Sequence, residues 1–220
     1  MSYECIVPYD CMMLGMEPLS SPRPRETVLT NALLSIVAER GLDQVSVREV
    51  ALAADVSIGT VQHYFPTKDD MLAAAFNEVV RRIRSRMTSV CLGPDPRRNI
   101  SAVLTELLPV DGRRAAEARI QVAFAARAAT SPALAEIQRS VLAEIHEALT
   151  EAFALTAAEA ATAENCRSAA RVAVAAVDGL ALHAVSSGDW MSARELVAAL
   201  ELMLDALVPG LAATRPPHYS

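Results

Sequence analysis

Three helix-capping residues, Ser46, Ser57 and Thr67, follow one another at intervals of eleven and ten positions, and this spacing constrains the fold more than any other feature. A cap fixes where a helix starts, because its side-chain oxygen accepts a backbone N–H that the first turn leaves without a partner. Caps set this close leave room for two short helices and no more. Ser46-Val47-Arg48-Glu49 has the hydroxyl-to-carboxylate spacing of a capping box. Val47, Val50 and Ala51 are its inward residues. The helix opened by Ser57 runs to about Tyr64, because Pro66 cannot continue it. Thr67 then opens a long helix whose first turn holds Asp69 and Asp70, where the helix dipole favours acids. Its apolar stripe is Met71, Leu72, Ala75, Phe76, Val79, Val80, Ile83 and Met87. Arg81, Arg82, Arg84 and Arg86 crowd its far end and read as a solvated face. Ahead of this set a helix spans about Arg25 to Arg40, with Val28, Ala32, Ile36 and Leu29, Leu33, Val37 at helical spacing and Gly41 as its left-handed stop. Val61 and Phe65 read as core.

The rest of the chain continues in helices. Gly93-Pro94-Asp95-Pro96 is a break that ends in a helix start, with proline at the first helical position. Further helices are expected over about 96–108, 112–129, 132–154, 163–187 and 193–208. Ser131-Pro132 and the Ser192…Glu195 box mark two starts, and Gly188 and Gly210 mark two ends. Hydrophobic residues make up 52% and charged residues 21%, enough apolar surface to exclude disorder over most of the length. Ala, Leu, Glu and Arg are strong helix formers, so an all-α fold is expected. The expected plan is a flexible arm over 1–24, a helix-turn-helix domain over 25–70, a helical ligand-binding and dimerisation domain over 71–211, and a loose tail over 212–220. Pro8, Pro18, Pro22 and Pro24 break up the arm, and Met12, Met13 and Met16 are alternative starts.

Three short helices and a long one within about 90 residues form a helix-turn-helix with a connector. The segment from Val45 to Leu72, with Ala54-Asp55-Val56-Ser57-Ile58-Gly59-Thr60-Val61-Gln62-His63-Tyr64-Phe65-Pro66-Thr67-Lys68 at its centre, resembles the TetR family of transcriptional regulators. The resemblance covers residues 25–90 well; beyond that only the general plan of further helices is shared. It implies a dimeric repressor that binds palindromic operator DNA and is released by a small-molecule effector. It further implies a ligand pocket in the C-terminal domain and a dimer built from the last two helices. That family commonly has glycine where this chain has Asp55. Aspartate tolerates the left-handed backbone better than most residues, so Asp55 is expected at positive φ.

The chemistry of the segment agrees with that reading. Ser57, Gly59 and Thr60 are small and polar, as the start of a helix entering a major groove must be. Gln62 has the groups to pair bidentately with adenine, and His63 to meet a base edge. Tyr64 and Lys68 suit phosphate, Arg48 adds a phosphate contact, and Ser46 sits beside them as a cap. Arg23 and Arg25 precede the first helix and suit contact from the arm.

The net charge of −6 argues at first against a nucleic-acid partner. Its distribution reverses that argument: residues 22–86 carry a balance of +1 and the remainder −7. Cys5, Cys11, Cys91 and Cys166 lack zinc spacing, so neither a metal nor a disulfide framework is expected. Motifs of hydrolases, nucleotide-binding enzymes and metalloproteases are missing from the sequence, so no enzyme activity and no cofactor are expected. His63, His146, His183 and His218 are scattered. Neither a signal peptide nor an uninterrupted apolar run of membrane-spanning length stands out, and the expected location is the cytoplasm.

In the second domain, where the resemblance implies an effector pocket, Phe124, His146, Phe153 and Asp178 are candidate ligand-binding residues, with core as the other reading of Phe124 and Phe153. Asp178-Gly179 inside a helix suggests a close helix approach. Val172, Ala176 and Leu180 on one helix, and Leu196, Leu200, Met203 and Leu207 on the next, are candidates for the dimer interface. A competing reading is a helical small-molecule-binding or scaffold protein without specific DNA binding.

Overall fold

The computed structural model describes residues 24–41, 44–157, 161–188 and 191–212. The arm up to Arg23, the alternative starts, Cys5, Cys11, His218 and the proline-containing tail lie outside them. Among the described residues the chain folds into α1 (Pro24–Arg40), α2 (Val47–Ala53), α3 (Ile58–Tyr64), α4 (Lys68–Met87), α5 (Pro96–Thr105), α6 (Gly112–Ala128), α7 (Pro132–Ala154), α8 (Ala163–Ser186) and α9 (Ala193–Ala212). The all-α expectation is borne out.

The caps work as local chemistry dictates. Ser46 Oγ accepts from the Glu49 N–H at 3.2 Å, Ser57 Oγ from Thr60 at 3.1 Å, and Thr67 Oγ1 from Asp70 at 3.1 Å. The box expected at Ser46 is only half made, because the Glu49 carboxylate turns to Arg40 at 2.7 Å. A full box forms instead at Thr67, where Asp70 Oδ2 accepts the Thr67 N–H at 2.9 Å. Asp55 takes φ 52°, the left-handed turn that the α2–α3 corner requires. At the chain's other end α9 runs through Gly210 to Ala212 and contains Pro209, so Gly210 does not end it.

Two cores hold these helices. The first joins α1–α3 to α4, α6 and the first half of α7, through Leu33, Val61, Phe65, Met71, Phe76, Ile120 and Phe124. The second lies among α5, the end of α7, α8 and α9, through Leu104, Phe153, Ala170, Val177 and Leu200. Leu107 and Ile145 pack against both. Val28 is half exposed and stands outside the α1 stripe in which it was expected.

Candidate nucleic-acid interface and internal cavity

Helix α3 is anchored from beneath and open above. Val61 and Phe65 are buried and fix its inner face. Ser57, Ile58, Gly59, Gln62 and His63 are exposed on the other side, and Thr60 and Tyr64 are partly so. The Ser57 and Thr60 hydroxyls lie 2.9 Å apart, and the His63 and Tyr64 rings meet edge to face at 5.4 Å. A side chain added at Gly59 would find nothing nearer than Ser57 Oγ at 3.8 Å, so packing inside the chain does not require glycine there. Lys68 and Arg48 are exposed, while Ser46 is half-buried and engaged as a cap. Ile58, 50% exposed at the first position of α3, was not singled out from sequence. The signal for it was available, since an apolar residue just after a cap has no neighbour of its own turn to cover it.

Helix α4 leaves α3 by a three-residue turn and is tied down at both ends. At its start Arg127, the last basic residue of α6, grips Asp69 with two hydrogen bonds, 2.9 and 3.0 Å, and holds the carboxyl below the usual carboxylate range. Ser131 adds a hydroxyl to Asp69 at 3.4 Å. At its end Arg86 reaches Glu106 at 3.1 Å and the buried Glu117 at 2.9 Å. Arg84 pairs with Glu144 on α7. Arg81 and Arg82 both grip the buried Glu78, whose carboxyl burial would push up, but the two guanidinium groups outweigh burial and hold it low. Arg82 also donates to Asn31 at 2.7 Å. Arg82, Arg84 and Arg86 are therefore ties to other parts of the chain rather than the solvated face expected, whereas Arg81 is exposed as expected and pairs within its own helix. Sequence could not reveal the ties of Arg82 to Asn31, Arg84 to Glu144 and Arg86 to Glu106 and Glu117, because those partners are distant in the chain.

Between the ties α4 borders a cavity of about 400 Å³ at the junction of the two cores. Phe76, Val80, Ile83, Arg84 and Met87 of α4 line it, facing Gln121 of α6, Gln138, Val141 and Ile145 of α7, and Val174, Val177 and Asp178 of α8. Of the expected ligand-binding residues only Asp178 borders it. Asp178 is accessible to solvent in the single chain, yet partial burial of its carboxyl raises its pKa above the usual range. Phe124 is buried core, stacked on Phe76 at 3.9 Å with its ring behind the wall. Phe153 is buried in the second core, and His146 is not among the lining residues. Among the described residues no group of three or more His, Cys, Asp or Glu is placed to hold a metal ion.

The outer face of α8 and α9 differs from expectation in detail. Leu196 and Leu200 are buried within the protomer, and Ala176, Leu180, Met203 and Leu207 are half-buried. Val172, Ala175 and Leu182 on α8 and Ala198, Leu202 and Ala206 on α9 are the exposed apolar positions, with Leu202 at 72%. Nothing approaches Gly179 within 4 Å, so it serves no close packing inside the chain. By length and composition α8 reaches what a membrane crossing needs despite Arg171 and Asp178, which the absence of an uninterrupted apolar run concealed.

Comparison with known proteins adds to this geometry. Residues 29–75 match the family described as bacterial regulatory proteins, tetR family, and residues 96–209 match the BetI-type transcriptional repressor C-terminal family. The transcriptional regulator BetI of Burkholderia cenocepacia strain HI2424 is 31% identical over 183 residues, 82% of this chain and 91% of that protein. The crystal structure of a transcriptional regulator from Rhodococcus sp. Rha1 is 40% identical, with a TM-score of 0.77, over 86% of this chain and 99% of that one. A regulator from Saccharomonospora viridis, solved in complex with choline, shares the fold at 16% identity and a TM-score of 0.70, over 82% of this chain and 95% of that one.

Proposed function

Because the chain belongs to the tetR family of bacterial regulatory proteins and is a transcriptional regulator with a BetI-type C-terminal region, we propose that it is a homodimeric repressor of palindromic operator DNA, released when a small molecule enters the cavity. The observation that carries the reading is that one helix, α4, follows the open face of α3 and also lines the cavity.

Gln62 and His63 face outward where a base edge would lie, and Ile58 is placed to meet a thymine methyl. Ser57, Thr60, Tyr64, Lys68 and Arg48 suit phosphate, which positions the protein without reading sequence. Ser46 acts through the cap. Gly59 has no packing duty inside the chain, so its smallness counts towards the groove. The exposed apolar positions of α8 and α9 suit a two-fold helix pair with a second copy, with Gly179 allowing the backbones to come close. Two heads so joined match half-sites separated by about 34–36 Å, one turn of DNA. A molecule in the cavity changes DNA affinity only if it binds the free and DNA-bound forms unequally.

The lining argues against a small quaternary ammonium such as the choline held by the Saccharomonospora regulator. Among the described residues Phe76 is the single aromatic one bordering the cavity, and a cage of several aromatic faces is the usual partner of that group. The scaffold reading is set aside, because the α3 face has the open polar residues of a reading helix. Selection of bound fragments from a random DNA pool, followed by footprinting, tests the proposal. The expected result is a two-fold sequence protected over two half-sites. Binding without any preferred sequence would overturn it.

A further inference from the structure

We infer that the cavity is the polar end of a two-chamber space that takes an elongated amphiphile: an uncharged or cationic head that donates hydrogen bonds, and an unbranched hydrocarbon tail. The inference rests on reading the cavity as the effector site.

A second cavity of about 230 Å³ lies beside the first, enclosed by the end of α4, α5 and α7. Met87, Leu107 and Ile145 line both, so the two share one wall of three apolar side chains. Met87 is unbranched and can swing aside at little cost, which makes it the natural passage. The second chamber is lined by residues such as Ile100, Leu104 and Leu149. Its one polar side chain, Asn99, is already spent: Oδ1 accepts from the Gly93 N–H at 2.8 Å and Nδ2 donates to the Gly93 carbonyl at 2.9 Å. A polar group placed there would lose its water and gain no partner, whereas a methylene loses nothing.

The first chamber has the opposite character at one side. Gln138 keeps a buried side-chain oxygen without a hydrogen-bond partner, and a buried acceptor left so is costly until a donor arrives. Asp178 borders the chamber as a second acceptor. Arg84, the one cation among the described lining residues, has its charge met by Glu144. A carboxylate or phosphate head would therefore face Asp178 while Arg84 is already paired with Glu144, whereas an ammonium has donors for both acceptors and a hydroxyl for one of them.

Calorimetric titration with n-alkylamines of about six to twelve carbons, kept below their micelle concentrations, tests the idea against alkanoates of equal length. Affinity for the amines is expected to rise about three- to fourfold with each added methylene across the series, and the alkanoates are expected to bind far more weakly. Ala148→Leu and, separately, Ala152→Leu reduce the second chamber. Each should flatten the gain for the longer amines while leaving hexylamine binding unchanged. A wild-type plateau at the shortest tails, alkanoates binding as tightly as amines, or an undiminished gain in both folded variants would each overturn the inference. Operator release is measured apart. Long amines that bind without loosening DNA would sink the repressor scheme and leave the two-chamber site standing. A compact molecule that releases DNA, with the amine series flat, would do the reverse.

Discussion

The α1–α3 head and the α5–α9 body are both helical, yet they are held by different physics. In the head, α2 and α3 have seven residues each, too short to persist alone, and each begins on a side-chain cap. Its functional groups point outward and touch little of the protein. In the body the helices reach 23 and 24 residues in α7 and α8, and their positions are set by packing between distant segments. Its functional surface points inward, around space that two cores fail to fill. A reading surface needs fixed geometry, which local caps provide at little cost. A binding chamber needs room, which comes only where large packing units meet imperfectly.

The largest effect should come from breaking the distinction between inside and outside in the body. Leu200→Glu places an unpaired charge at a fully buried position and is expected to cost about 4 kcal/mol or more. Leu202→Glu, two residues on, should keep the helical signal and instead yield monomers with weakened operator binding. Urea melts and sedimentation velocity separate the two outcomes. An intact melt for Leu200→Glu would mean the two faces of α9 are exchanged.

Next come the head's outward groups. Gln62→Ala should lower discrimination between operator and scrambled DNA by ~1–3 kcal/mol if its base pair is bidentate. Lys68→Ala should weaken binding to both alike and make the salt dependence shallower by about 0.9 of a logarithmic unit. The opposite pattern would reverse their roles.

A smaller effect tests the caps themselves. Ser57→Ala should destabilise by ~1 kcal/mol through loss of its bond to Thr60. Ser131→Ala, at a body helix whose N-cap makes no side-chain cap bond, should stay within about 0.5 kcal/mol. Equal losses would mean that Ser131 supports the start of α7 by something other than a cap bond, such as its hydroxyl to Asp69.

The smallest is a pH effect at Asp178. Burial raises its folded pKa, so the folded state holds the proton more tightly than the unfolded chain, and stability falls as pH rises above the ordinary carboxylate range. Asp178→Asn should therefore raise the melting temperature at pH 7 by on the order of 1 °C. The gain should vanish below about pH 4. A loss of stability at pH 7 would show that the carboxylate has a partner in the folded protein.

What could be read in advance follows the same division. Ser46, Ser57, Thr67 and the left-handed Asp55 depend on neighbours within three or four residues, and the helices they bound were legible to within a residue or two. The body's faces were not. Its helices are so rich in alanine and leucine that several faces look equally apolar, and only the folded chain decides that Leu196 and Leu200 turn inward while Leu202 stays out. Phe124 and Phe153 were open to either reading, because large aromatic groups suit pockets and cores alike, and the fold buries both in core. Arg82, Arg84 and Arg86 were misread because Asn31, Glu144, Glu106 and Glu117 are brought to them only by the fold. Gln138 and the second chamber carried no sequence signal at all, since a void is a property of what several helices leave behind.

The ties at the two ends of α4 give that helix the mechanics of a lever. It is about 30 Å long at 1.5 Å per residue. The Arg86 end, bound to two glutamates with Glu117 buried, is the fulcrum. The Asp69 end, gripped by Arg127 at the surface, is the softer clamp. A tilt of about 5° at the fulcrum moves the far end by about 2.5 Å. In the proposed dimer, two copies swinging in opposite directions would part the heads by twice that, a sizeable mismatch against DNA grooves repeating every ~34 Å. A molecule in the cavity would press on its middle, at Phe76, Val80 and Ile83, where the cavity wall is.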